Sequence, residues 1–128
     1  MVILYVGGYR GCIGASLRGN CAGRCAPTQV MAALQPLFLL GVYYLWIDCQ
    51  YLTTLSECGQ RLLRTTTEQA RAKGLHLHWC GLSADLLAVL QGGLSSAPLS
   101  LLPATAYRGP LALAQEQVPV IAQQYCFC

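Results

Sequence analysis

Cysteine is the residue type best equipped for chemistry in this sequence. Eight of the 128 residues are cysteine, at positions 12, 21, 25, 49, 58, 80, 126 and 128. Cys21-x-x-x-Cys25 together with Cys126-x-Cys128 offers four thiolates, the donor number of a structural zinc site. Neither spacing is a usual zinc knuckle. No CxxC occurs, which removes thioredoxin-type redox chemistry. Cys58 has no base near it in sequence and reads as a core residue, not a nucleophile. His76 and His78 share one strand face and have the geometry for a metal pair, but no third ligand accompanies them, so they read as structural. Gly7, Gly11 and Gly14 follow a strand-like run without GxGxxG spacing, which favours a hairpin over a dinucleotide loop. No paired carboxylates, Ser-His-Asp order or phosphate-binding loop appears. These patterns point away from an enzyme and predict neither cofactor nor metal.

What remains is a junction. Residues 44–49 are an apolar run of strand length, and residues 50–54 read as a surface loop. Ser56 can cap a helix, and Glu57 in its first turn meets the positive end of the helix dipole. Thr54 and Glu57 also fit a capping box. Cys58, Leu62, Leu63, Thr66 and Ala70 recur at helical spacing as an inward stripe, with Gln60, Arg61, Arg64, Glu68 and Arg71 facing out. Lys73-Gly74 ends that helix. Leu75, Leu77 and Trp79 then alternate with His76, His78 and Cys80 as a strand. Ser83 caps a short helix over residues 84–90, stopped by Gly92-Gly93. Strand, helix and strand should pair in parallel with a right-handed crossover. The loop-to-helix start is then an exposed platform at a strand's carboxyl end. Gly59 would admit a partner's backbone there, and Asp48 would cap the strand or shape the loop.

The elements around this core follow in order. Residues 2–6 read as a strand, Gly7-Gly8-Tyr9-Arg10 as a turn, 11–18 as a returning strand and 19–25 as a loop. Pro27 opens a helix over 28–39 whose last turn Pro36 threatens, and Gly41 turns the chain into the strand at Tyr44. Residues 95–98 are a loop, 99–102 a short strand, and 103–110 irregular. Residues 111–124 are mixed helical, interrupted by Pro119, and 125–128 carry no assignment. The expected division is a domain over 1–104 and a tail over 105–128 that either stands apart or completes it.

Composition sets the outer limits. Hydrophobic residues make up 55% and charged residues 10%, with a net charge of +3. The bases are scattered without aromatic alternation, so no nucleic-acid partner is expected. Residues 30–47 carry no charge and approach the length of a membrane span. Gln35, Pro36 and Gly41 interrupt them, and no direct membrane insertion is expected. Residues 1–8 lack a basic leader, which favours a reducing cytoplasm.

The order of these pieces resembles a STAS domain, the family of sulfate transporters and anti-sigma-factor antagonists. Leu45-Trp46-Ile47-Asp48 stands for its strand and Ser56-Glu57-Cys58-Gly59 for its Asp-Ser-x-Gly motif. Gly74 stands for the helix end, with residues 75–82, 83–90 and Gly93-Leu94 following in the family's order. The match covers roughly residues 2–102. The resemblance implies an α/β fold, a small mixed sheet with an N-terminal hairpin, parallel strands and packed helices. It also implies a non-enzymatic regulatory domain binding an anti-sigma factor that is a kinase, through Ser56, Glu57, Cys58 and Gly59. In the family the hydroxyl of that motif is phosphorylated. Here Ser56 stands at the acidic position and Glu57 at the hydroxyl position. Ser56 is thus a displaced candidate acceptor, and Glu57 a permanent charge smaller than a phosphate's. The expectation is a fixed-state binder. Two alternatives stand beside it: the small STAS subunit of a lipid-trafficking ABC transporter, docking on its ATPase, and a single-span or metal-binding Cys-rich protein.

Overall fold

The computed structural model describes residues 2–9, 12–21, 27–91, 99–115 and 123–127. They form an α/β fold with a mixed sheet. β1 (Val2–Tyr9) and β2 (Cys12–Cys21) make an antiparallel hairpin. Helix α1 (Pro27–Leu39) leads to β3 (Tyr44–Asp48) and β4 (Leu52–Leu55). Helix α2 (Glu57–Ala72), β5 (His76–Cys80), helix α3 (Ala84–Gln91) and β6 (Leu101–Leu102) complete the crossovers. β7 (Gln123–Phe127) closes the far edge. The strand order is β6-β5-β3-β2-β1-β7, with β4 also paired to β2.

The ten-residue β2 carries two parallel partners end to end. Gly14, Ala15 and Ser16 face Trp46, Ile47 and Asp48 of β3, while Gly19, Asn20 and Cys21 take β4. Between them the chain jogs through a tight turn, Leu52 N–H donating to the Cys49 carbonyl at 3.2 Å, and keeps its direction. On its other side β3 pairs in parallel with β5, and β5 with β6.

Period-two alternation divides the sheet. Val2, Leu4, Ala15, Leu17, Leu45, Ile47, Leu77 and Trp79 point to the helices. They share one core with Val30, Leu34 and Leu37 of α1, Leu62 and Leu63 of α2, and Leu86 and Leu90 of α3. α2 is tied to β5 by one buried polar relay. The Trp79 indole donates to Thr67 Oγ1 at 3.0 Å, and that hydroxyl donates to the Leu63 carbonyl at 2.7 Å. The opposite face is partly roofed by residues 103–115, which hold two 3-10 turns, Ala104–Ala106 and Leu111–Ala114. Arg18 reaches across to the Leu113 carbonyl at 2.8 Å, and to that of Gln115.

Several boundaries differ from the sequence reading. Gly7 and Gly8 lie inside β1, paired with Gly14 and Ile13, so the hairpin turns later than the glycines suggest. Gly19 through Cys21 belong to β2, not to a loop. Residues 50–54 are not all loop: Leu52 and Leu55 are buried, and their strand supplies β2 with backbone partners that a loop would leave unmade. α1 passes through Pro36, because Pro36 and Ala32, whose carbonyl loses its partner, are both exposed to water. Of the expected helical stretch 111–124, the described residues hold the 3-10 turn Leu111–Ala114 at one end and, at the other, Gln123 and Gln124 in the strand Gln123–Phe127, paired antiparallel with β1; residues 116–122 lie outside the described residues. Arg10, Gly11, residues 22–26, Gly92-Gly93 and the loop to Pro98, Pro119, Cys25 and Cys128 lie outside the described residues. Among the described residues no helix is long and apolar enough to cross a membrane.

The relay makes a stability prediction. Thr67→Val should strand the buried Trp79 N–H and cost about 1–3 kcal/mol in urea unfolding. The double variant with Trp79→Phe should recover part of that loss.

Candidate partner-docking site

The junction between β4 and α2 is built on a single backbone oxygen. The Cys21 carbonyl at the end of β2 accepts the Ser56 N–H at 3.0 Å and the Ser56 hydroxyl at 3.1 Å. Ser56, extended at φ −71° and ψ 173°, is the cap of α2, and its Oγ accepts from Gly59 N–H at 3.2 Å. Ser56, not Thr54, therefore takes the capping role. Thr54 is within β4, and its neighbour Thr53 donates to the Gly19 carbonyl.

The four predicted residues divide into a pair that builds the site and a pair that presents it. Ser56 is half-buried and its hydroxyl is engaged on both sides. Gly59 is buried, where it was expected to receive a partner. A Cβ there would meet the Cys21 carbonyl oxygen at 2.6 Å, Leu55 Cδ1 at 2.9 Å and Cys21 Sγ at 3.0 Å, so the glycine exists for the approach of β2. Glu57 and Cys58 are exposed side by side in the first turn. Cys58 was expected in the inward stripe, but Gly59 takes the inward position there. Leu62, Leu63, Thr66, Thr67 and Ala70 continue the buried side. Arg64, expected outside, is half-buried and donates to the Leu90 carbonyl on α3.

A buried carboxyl sits where β3 ends, opposite Ser16 and five residues back along β2 from Cys21. Asp48 at the end of β3 has no exposed surface. Its Oδ1 accepts from Gln50 Nε2 at 2.8 Å, while Oδ2 has no partner. Burial raises its pKa against the lowering effects of Gln50 and Arg18. The contact with Gln50 shapes the jog between β3 and β4. Gly81, at φ +79°, leaves room for it: a Cβ there would lie 2.7 Å from Gln50 Cγ. Burial also raises the pKa of Cys21, pushes Cys49 well up, and lifts Cys80 to about 11 with help from Asp48. These thiols stay protonated at neutral pH and are poor nucleophiles.

The two histidines belong to an aromatic ladder on the sheet face opposite the helices. Tyr44 stacks on His76 at 5.5 Å and on His78 at 6.0 Å, and Trp46 stacks on His78 at 5.2 Å. His78 Nδ1 lies 2.6 Å from Ser100 Oγ. Burial, and then the neighbouring His76, lower the His78 pKa. Among the described residues no three His, Cys, Asp or Glu side chains group as metal ligands. The ladder escaped the sequence reading, although Tyr44-x-Trp46 and His76-x-His78 repeat at strand spacing on what prove to be neighbouring strands. No protein-family model and no curated protein matches this chain.

Two variants test the arrangement. Gly59→Ala should lose about 1–3 kcal/mol by overpacking against a backbone that cannot move aside, although alanine favours the helix elsewhere. Asp48→Asn tests the carboxyl. A raised folded-state pKa favours the native state below the unfolded value of 3.8, and that advantage disappears as pH rises through the folded value. The variant should therefore gain on wild type across that rise and show the higher Tm at neutral pH. Parallel melts at acidic and neutral pH measure both ends.

Proposed function

We propose that this chain is a non-enzymatic, protein-binding regulatory domain of STAS type, docking its partner through the exposed start of α2. One observation carries the reading. Glu57 and Cys58 stand exposed on a helix start that Ser56 and Gly59 fasten to the end of β2. A docking surface held this firmly loses little conformational freedom on binding. The order of hairpin, helix, parallel strand, helix, parallel strand and helix is the one that the resemblance implies, with β4 added between β3 and α2 where it implies a loop.

The state of the switch follows from the same hydrogen bonds. Phosphorylation of Ser56 would have to release its hydroxyl from the Cys21 carbonyl and alter the cap on α2. Glu57 instead supplies a constant negative charge at the positive end of the helix. The proposed domain is a fixed-state binder whose partner presents a basic group to Glu57.

The test is affinity capture with wild type and Glu57→Arg, followed by mass spectrometry. An exposed first-turn charge affects stability by only about 0.3–1 kcal/mol, so the variant should fold normally. A partner retained by wild type and lost by the variant supports the site. Its identity, an anti-sigma-type kinase or a transporter ATPase, separates the two regulatory settings. Equal retention moves the site elsewhere, and stoichiometric phosphate on Ser56 would overturn the fixed state.

A further inference from the structure

We propose that the amino end of the parallel strands is a membrane-docking face that seats on a bilayer of anionic headgroups. This end is remote from the junction at Ser56 and independent of the function proposed there. Where α1 leaves for β3, four large apolar side chains stand in water. Leu39 is 81% exposed, Leu40 67%, Tyr43 69% and Tyr44 54%. Gly41, at φ +71°, makes the turn that puts them together. Trp46 lies half-buried behind Tyr44, at 6.1 Å between rings. Aliphatic tips backed by tyrosine and tryptophan match the layering of a bilayer surface, where leucine enters the acyl boundary and amphipathic rings lie among headgroups.

Charge identifies the occupant. Lys73 Nζ sits 5.5 Å from the Phe38 ring, beside Leu39. Arg108 lines the same depression of about 720 Å³ as Leu39, Leu40, Tyr43 and Trp46. Two cations thus flank the apolar tips. Glu57 and Asp85 open α2 and α3 at the opposite end of the strands, and Asp48 is buried at the carboxyl end of β3. Glu68 is exposed on α2, one turn before its end. A second copy of the chain, docked face to face, would set these cations against each other, whereas an anionic lipid surface complements both. The seating is shallow and needs no crossing helix. It goes beyond the sequence expectation of no direct membrane insertion, which weighed only a spanning segment.

Flotation with phosphatidylcholine vesicles, with and without phosphatidylserine, tests this. Wild type should float with the phosphatidylserine vesicles, several-fold less with phosphatidylcholine alone, and should be released as salt rises. Leu39→Asp combined with Leu40→Asp should lower the bound fraction roughly tenfold, since it removes the inserted tips. Lys73→Glu with Arg108→Glu should abolish the preference for phosphatidylserine. All four positions are exposed, and an unchanged circular dichroism melt confirms folding. Trp46 emission should shift to the blue on binding. Wild type left unbound, or leucine variants that float as well as wild type, would overturn the proposal. So would leucine variants that only convert a dimer to a monomer in sedimentation velocity, which would assign the patch to self-association. Partner capture through Glu57 should be unaffected by the leucine variants, so the two proposals stand or fall separately.

Discussion

The Cys21 carbonyl holds together three parts of the chain. It ends β2, receives both backbone and side chain of Ser56, and lies where any side chain at residue 59 would collide. Through it the start of α2 is fixed to the middle of the sheet and not merely to its own preceding strand. The rest of α2 then falls into register over the core, with Leu62, Leu63, Thr66 and Ala70 inward, and Thr67 meets the indole of Trp79. A helix start secured by strand backbone does not depend on a long apolar loop to orient it. That suits a chain with few charges and short connections.

Much of this architecture was legible in the residues. Leu75, Leu77 and Trp79 alternate with two histidines, and β5 is that strand. Ser56 and Ser83 were readable as caps because a hydroxyl before an apolar helical pattern has one obvious use. The bonds from Gly59 and Leu86 show both at work. What escaped the reading depends on long-range pairing. β4 has only four residues and a polar centre, so its strand character comes from β2, far off in sequence. β7 likewise follows a helical-looking stretch and takes its form from β1. The inward position of Gly59 was hidden for a related reason: a glycine in a sequence does not say whose backbone it admits. Cys58 was misplaced because helical spacing fixes a period but leaves its phase free by about one residue.

The sheet's two faces and two ends divide the molecule's properties. One face is core. The other is roofed near Asp48 by the turns between Pro103 and Gln115, which pass through Tyr107, whose hydroxyl donates to the Pro110 carbonyl at 3.0 Å. Where that roof stops, the aromatic ladder of Tyr44, Trp46, His76 and His78 begins. The carboxyl end of the strands carries carboxylates and capped helix starts, and the amino end carries leucine, tyrosine and cations. Buried thiols at Cys21, Cys49 and Cys80 act as small apolar residues in strands and turns, which accounts for part of the high cysteine content.

The pairing of Val2 with Phe127 means that β1 meets one of its two neighbours only after nearly all of the described chain has been made. During synthesis the hairpin of β1 and β2 must therefore wait with a bare hydrogen-bonding edge. Such a delay slows closure, because distant contacts must overcome loop entropy first. Until then the half-finished chain carries an open strand edge, the kind of edge on which other chains can pair.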